Sequence, residues 1–406
     1  MWGSDPRGIE RMSNLAKPSA HAAAALLPLP PASRSRVALG LTAAAAVGRF
    51  ELQTCLSCGA VQYPPREACH RCLSVRLEWR AQSDRGTLLA QTTLFHSNEP
   101  FFQQRLPWSI GLVRLECGPS VVAHLHSRVT SAGMPVRVRL QLDRAGCAVL
   151  VAFPCEEVID LAADRQLSQL SCDPRSRKVL VTDAASETGR ALVSALCAAG
   201  ATTVWAGSVG KAQSFQNLRN VVPVSLDVTD DASVASAAAA IGSEVDILIS
   251  TAERRADPAA STSSLECARR DMEVYYLGLM RLAREFGARM RARNASGQLA
   301  AVAWVNLLSI HALASSPAHE GFAAAQAAAH SLSQSLRAQM LAAGIRVVNV
   351  FAGPMEQAGD ALSEEIVSVL RSGAEDVYAG DVAKHVFARW RENPKGLERE
   401  LAAAAR

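Results

Sequence analysis

Four cysteines carry the clearest chemistry in the chain. Cys55-Leu56-Ser57-Cys58 and Cys69-His70-Arg71-Cys72 form two C-x-x-C knuckles with ten residues between them. Gly59 follows the first knuckle and Pro64-Pro65 lies between the two. Four thiolates at this spacing can close a tetrahedral shell around Zn²⁺, so Cys55, Cys58, Cys69 and Cys72 are the expected ligands of a structural zinc ribbon. The competing reading is a pair of redox dithiols, but no thioredoxin-like βαβ pattern surrounds these cysteines.

The elements around the ribbon follow from pattern. Val37 to Val47 is apolar and reads as a helix leading into it; it is too short to span a bilayer and too far from Met1 for a signal peptide. Beyond it, Gly86–Phe95, Trp108–Leu115, Ser120–His126, Val136–Leu142 and Ala148–Phe153 are short runs broken by Gly, Pro, Asp and Asn. Five such strands predict a small closed barrel of the OB type. From Lys178 the pattern changes. Val179-Leu180-Val181 leads through a turn of small residues into a helical stretch, and further β-branched runs recur at Val204–Ala206, Val221–Leu226, Val245–Ile249, Ala301–Leu308 and Arg346–Phe351. Helical stretches at Leu265–Ala292 and Phe322–Ala343 separate them. Strands alternating with helices predict a doubly wound, Rossmann-like parallel sheet.

Composition bounds the organisation. A chain of 406 residues leads us to expect two to three domains, and a net charge of +4 with 5% aromatic residues gives no case for a nucleic-acid surface. Ten cysteines, four of them in metal spacing, suit a reducing, cytoplasmic setting better than a disulfide framework. The expected boundaries are a disordered Ala/Pro/Ser-rich leader over 1–36, helix and ribbon over 37–76, and the barrel over 77–160. A polar linker over 161–177 and the sheet domain over 178–406 complete the division. Met12 is an alternative start to Met1, and Glu364–Arg406 reads as charged helix broken at Asn393-Pro394.

Two resemblances follow from motifs. The ribbon and barrel, through Leu52–Gly59, Pro64-Pro65-Arg66, Cys69-x-x-Cys72, Arg85–Leu88 and Gly133–Val136, resemble the acyl-CoA-associated zinc-ribbon/OB-fold family. That likeness implies a non-catalytic partner of a thiolase- or aldolase-type enzyme, with acyl-CoA contact as a further expectation. The second half is similar to the short-chain dehydrogenase/reductase family through Asp227-Val228, Val305–Ser309 and Val348–Pro354. It implies NAD(P), with Thr182, Gly189, Asp227 and Val228 as the cofactor-binding positions and Ser309 as the catalytic serine, thirteen positions before the tyrosine site.

The sequence departs from that family where the chemistry lies. The three glycine positions of the phosphate loop are Asp183, Glu187 and Gly189; Ser250-Thr251-Ala252-Glu253 replaces Asn-Asn-Ala-Gly; and the Tyr-x-x-x-Lys pair is Phe322 and Gln326, with Tyr275 at the helix asparagine. Phe322 has no proton to exchange, which removes a contribution of about 10²–10⁴-fold. Carboxylates at a helix N-terminus compete with a diphosphate for the same amides. We therefore expect Ser309 and the four cofactor positions to be vestigial, NAD(P) to be a doubtful ligand, and the domain to be a pseudo-dehydrogenase. Its small-faced helix, Ala323 to Ala329, would pair with a second copy or with an active dehydrogenase subunit. The alternative is a divergent NAD(P)-dependent oxidoreductase acting on hydroxyacyl- or ketoacyl-CoA, with His311, Tyr275 or Tyr276 as the substitute acid.

Overall fold

The computed structural model describes residues 29–155, 164–210, 215, 218–251, 264–298, 301–315, 319–353 and 359–404. The expected leader over 1–28 and both start candidates lie outside these residues. Helix α1 (Leu39–Ala46) leads into β1 (Glu51–Cys55), which pairs antiparallel with both β2 (Val61–Gln62) and β3 (Leu77–Ala81). Trp79 on β3 lies so close to Gly40 that a Cβ there would meet its ring at 2.0 Å, so α1 seats flat on the ribbon.

Strands β4 (Arg85–Leu94), β5 (Trp108–Leu115), β6 (Ser120–Leu125), β7 (Pro135–Leu142) and β8 (Ala148–Pro154) close into a barrel in the order β4-β5-β6-β8-β7. Alternation drives the closure: Val136, Val138, Leu140 and Leu142 face inward from β7, where Leu88, Val113, Leu115, Val121, Ala123, Leu125, Leu150 and Ala152 meet them. Leu41, Ala44 and Ala45 of α1 plug the same core.

The second half is a seven-stranded parallel sheet. Its strands are β9 (Lys178–Val181), β10 (Thr203–Ser208), β11 (Val221–Ser225), β12 (Ile247–Ser250), β13 (Ala303–Ser309), β14 (Arg346–Ala352) and β15 (Asp376–Ala379), in the order β11-β10-β9-β12-β13-β14-β15. The helices are α2 (Glu187–Ala198), α3 (Asp231–Ile241), α4 (a run over 265–298 that includes π-helical turns), α5 (Glu320–Leu341), α6 (Gly359–Ser372), α7 (Gly380–Glu392) and α8 (Pro394–Ala404). Both sheet faces are covered, which is why the strands read as continuous apolar runs such as Val347, Val348 and Val350.

Three expectations need correction. Glu364–Arg406 is not helical throughout, because Asp376–Ala379 adds a seventh strand beside β14. Gly373, at φ +82, ends α6 and turns the chain back; the strand is too short to betray its period. The end of the expected leader is ordered, with Pro30 buried and the Ala32 carbonyl accepting from Cys147 Sγ at 3.4 Å. The polar stretch over 161–177 is no free tether in its described part: Asp164, Leu167, Leu170, Cys172 and Asp173 are buried. Its charges hide because they are paired, Asp173 to Arg371 at 2.7 Å and Asp164 to backbone amides.

The two halves meet through buried arginines. The β7–β8 turn carries Arg144 to the N-terminal edge of the sheet, where it donates to the Gly344 carbonyl at 3.2 Å and the Ala301 carbonyl at 3.1 Å. Arg346 reaches the other way, to the Leu142 carbonyl at 2.6 Å and the Asp143 carbonyl at 3.2 Å. The Glu375 amide closes a third bond, to the Ala46 carbonyl at the end of α1, at 2.7 Å. Removing the fork strands the Gly344 carbonyl, while Ala301 keeps Asn294 as a donor at 2.7 Å, so Arg144→Met should destabilise the chain by about 1–3 kcal/mol in urea unfolding. Arg144→Lys should recover only part of the loss, since an ammonium cannot span both carbonyls. An unchanged midpoint for Arg144→Met would show that the contact contributes nothing.

Candidate functional sites: a cysteine cluster and a sheet crevice

The four knuckle thiols converge. Cys55 Sγ lies 3.6 Å from Cys72 Sγ and Cys58 Sγ lies 3.7 Å from Cys69 Sγ, with all four sulfurs within 4.8 Å of one another. Tetrahedral zinc with bonds of about 2.3 Å sets sulfurs about 3.8 Å apart, so this donor set fits Zn²⁺. Each knuckle folds the same way. The Gly59 amide returns to the Cys55 carbonyl at 2.9 Å, and the Leu73 amide to the Cys69 carbonyl at 3.0 Å. Both residues take left-handed backbone, Gly59 at φ 73 and Leu73 at φ 59. Burial pushes the Cys55 thiol up, but backbone donors from Cys58 and Ser57 with thiol contacts from Cys72 and Cys58 outweigh it and bring it down to about 6. Backbone donors from Cys72 and Arg71 also lower Cys69. Both shifts favour the thiolate that a metal needs, while at Cys72 the neighbouring thiols and burial outweigh a backbone donor from Ser74 and push the pKa up.

A buried glutamine pair, not evident from the motif, holds the knuckles in register. Gln62 Nε2 donates to Gln53 Oε1 at 3.0 Å; Gln53 Oε1 also accepts from the Arg66 amide at 2.8 Å, and Gln62 Oε1 from the His70 amide at 3.0 Å.

The crevice at the C-terminal ends of the strands is the second site. After β9 the phosphate loop folds on itself. Asp183 Oδ1 accepts from the Ala185 amide at 3.0 Å, and Ser186 Oγ caps α2 by accepting from the Gly189 amide at 3.0 Å. A Cβ on Gly189 would meet the Asp183 carbonyl at 1.9 Å, so this glycine is fixed by helix–strand packing. Thr182 points into the fold, its Oγ1 accepting from the Thr251 amide at 2.9 Å, while Thr251 Oγ1 accepts from the Asp183 amide at 3.0 Å. Asp227 holds a turn, its Oδ1 accepting from the Thr229 amide at 2.9 Å and the Thr229 hydroxyl at 2.6 Å. Val228 is buried and touches Gly278 on α4. Ala252, Glu253 and Pro354 lie outside the described residues.

At the start of α5, Phe322 sits edge-on to Tyr275, with centroids 5.3 Å apart, and to His311 at 6.1 Å. His311 stacks on His319 at 5.4 Å and sets its Nδ1 3.2 Å from the Ala314 carbonyl. Burial lowers its pKa. Gln326 is buried, and its Oε1 accepts from the Ser309 amide at 3.0 Å; Ser309 Oγ accepts from the His311 amide at 3.2 Å. Phe322, Gln326, Ser309, Tyr275 and His311 are therefore brought together into a cluster joined by its own hydrogen bonds and ring contacts. Of the alanine face on α5, Ala323, Ala325 and Ala329 are buried within the chain, while Ala324 and Ala327 are exposed.

Comparison with known proteins divides the chain in the same way. Residues 177–365 match the family described as short chain dehydrogenase. Residues 42–78 match "ChsH2, rubredoxin-like zinc ribbon domain", and residues 79–141 match "ChsH2, C-terminal OB-fold domain". A crystal structure of a short chain dehydrogenase from Burkholderia cenocepacia J2315, in complex with NADP, is 27% identical, covers 56% of this chain and 98% of its own, and gives a TM-score of 0.51. A short-chain dehydrogenase from Streptomyces avermitilis is 23% identical over 54% of this chain and 99% of its own, with a TM-score of 0.44. No curated protein matches the chain. The N-terminal part thus resembles the zinc-ribbon and OB-fold modules, and the C-terminal part a short chain dehydrogenase.

Wild-type protein should hold one zinc per chain by elemental analysis. Cys58→Ser and Cys69→Ser should each lose it and release the ribbon's fluorescence reporter, Trp79, to solvent. Full metal retention in both variants would rule out the four-thiolate site.

Proposed function

We propose that this chain is a non-catalytic accessory subunit in acyl-CoA metabolism. Its ribbon and barrel would dock a thiolase- or aldolase-type enzyme, and its dehydrogenase-like domain would serve as a scaffold that pairs with itself or with an active dehydrogenase. One observation carries the reading: Phe322 occupies the proton-donor position, packed edge-on to Tyr275, while Gln326 spends its carbonyl on the Ser309 amide. Phe322 has no proton to give a carbonyl oxygen, and Gln326 has no charge with which to tune an acid.

The phosphate loop supports the same conclusion independently. The Burkholderia structure contains NADP. Here the Ala185 and Gly189 amides are already satisfied by Asp183 and Ser186, and Glu187 adds a carboxylate to the first turn of α2. A diphosphate would have to displace these bonds and approach two acidic side chains, so these residues do not fit it. The matches to ChsH2 modules favour a docking role over a free-standing one. The unpaired cysteines suit a cytoplasmic home, and no described helix is long and apolar enough to cross a membrane.

Titration with NADH and NADPH tests the reading. The wild type should show no saturable binding at micromolar concentration and no reduction of 3-ketoacyl-CoA. Asp183→Gly with Glu187→Gly should introduce NADPH binding, and adding Phe322→Tyr with Gln326→Lys should then raise turnover by about 10²–10⁴-fold over the double variant. Turnover by the unaltered chain, lost on His311→Ala, would instead establish the oxidoreductase.

A further inference from the structure

A cavity of ≈ 350 Å³ lies where the barrel meets the stretch that leads to the sheet, and it shares no lining residue with either site above. Three segments of the chain build it. Gln104, Arg105 and Pro107 come from the connection between β4 and β5, just after the helical turn Pro100–Gln103. Trp108, Ser109 and Leu125 come from β5 and β6, with Ser127 just beyond. Asp164, Arg165, Gln166 and Gln169 come from the packed stretch before β9. The volume falls within the roughly 300–1,000 Å³ usual for small-molecule sites.

The polar groups of the lining are unevenly spent. Its one acid, Asp164, accepts on both oxygens: Oδ1 from the Gln166 and Leu167 amides at 2.9 Å each, and Oδ2 from the Ser127 amide at 2.7 Å. Gln166 is used up on the strands. Its Oε1 accepts from the Ser109 amide at 2.6 Å, and its Nε2 donates to the Ser109 and Leu125 carbonyls at 2.8 and 3.2 Å. The cations are not matched in the same way. Arg105 donates from Nη1 to the Phe101 carbonyl at 2.8 Å and from Nε to Gln169 Oε1 at 3.4 Å, and it lies over the Phe101 ring at 4.1 Å. Among the described residues it has no carboxylate partner, and burial lowers its pKa, as it does for a guanidinium held away from water without a counter-charge. The Arg165 side chain has neither an ion pair nor a hydrogen bond among the described residues. Two guanidinium groups therefore line a cavity whose only carboxylate is already taken.

We propose that this cavity binds a small organic oxyanion, its charged head against Arg105 and Arg165 and its apolar part against Pro107 beside Trp108. A carboxylate and a phosphate monoester share that chemistry, because both accept paired hydrogen bonds from a guanidinium. Two arginines against one spent aspartate disfavour a cationic ligand. A molecule seated here touches all three segments, so its binding would stiffen the connection from barrel to sheet. The site stands independently of the accessory role.

Calorimetric titration of the zinc-loaded full chain tests it, with benzoate, phenyl phosphate and benzamide as probes. At least one of the two anions should bind saturably, and benzamide, the same ring without the charge, should bind at least about tenfold weaker. The tighter of benzoate and phenyl phosphate identifies the head group as a carboxylate or a phosphate ester. Arg165→Gln should weaken that anion by about tenfold or more at unchanged zinc content and unchanged urea midpoint, because this side chain is exposed and holds no other residue in place. The bound anion should also raise the thermal midpoint of the wild type, and do so less in Arg165→Gln. No saturation by either anion up to about 10 mM, benzamide binding as tightly as benzoate, or affinity unmoved by Arg165→Gln would overturn the site.

Discussion

The buried exchange of arginines between the barrel and the sheet sets the architecture. Asp143 and Arg144 occupy a hairpin turn, a place where charge normally faces water. Here the turn is pressed against Leu341 and the first residues of β13 and β14, with Gly146 so close to Leu341 that a Cβ would meet it at 2.8 Å. Burial lowers the Arg144 pKa to about 10, yet it stays a cation because carbonyl oxygens surround it. Arg346 answers from the other half, so each module neutralises backbone oxygens of its neighbour. This contact sits at the N-terminal ends of the strands. The crevice lies at their opposite, C-terminal ends, and in the cysteine cluster Cys72 is exposed. A fusion made this way joins two modules without either one covering the other's site.

Inside the sheet a second polar element takes positions that the family motifs mark. Trp304 Nε1 donates to Asn306 Oδ1 at 2.8 Å, Asn306 Nδ2 to Asn349 Oδ1 at 3.0 Å, and Asn349 Nδ2 to Asp376 Oδ1 at 3.0 Å, where Arg337 completes the chain at 2.7 Å. The network crosses β13, β14 and β15 and ties α5 to the edge strand. Each donor finds an acceptor, which makes burial of so many polar groups affordable only as a unit. It explains why Asn306 and Asn349 stand inside otherwise apolar strands.

Much of this was legible in the chain, and the rest was not for definable reasons. The knuckle spacing gave the metal cluster directly, because ligand spacing in a ribbon is local. The five barrel strands and six of the seven sheet strands announced themselves through β-branched runs. The seventh did not: Asp376-Val377-Tyr378-Ala379 has four residues, one of them charged, and its acid is neutralised only by Arg337, far away in sequence. The packed stretch over 164–177 was hidden the same way, since Asp164 and Asp173 read as solvent-loving until their partners are seen. Phe322, Gln326 and Ser309 could be placed by offset from one another, but the bond from the Ser309 amide to Gln326 could not. Spacing tells which residues meet; it does not tell what they do once they have met.

The loop after β9 shows how a sheet of this kind could hold its shape without a bound cofactor. A domain that relies on a bound nucleotide is stabilised by mass action when the ligand is abundant and loses that stabilisation when it is not. Its phosphate loop in the empty state exposes amides that only water or an anion can satisfy. In this chain Asp183 and Ser186 satisfy two of them from within, Thr251 takes a third, and Gly189 keeps the helix tight against the loop. The Asp183 carboxylate that would repel a diphosphate already serves as acceptor for the Ala185 amide. On the accessory reading proposed above, losing the ligand and becoming independent of it would be one change.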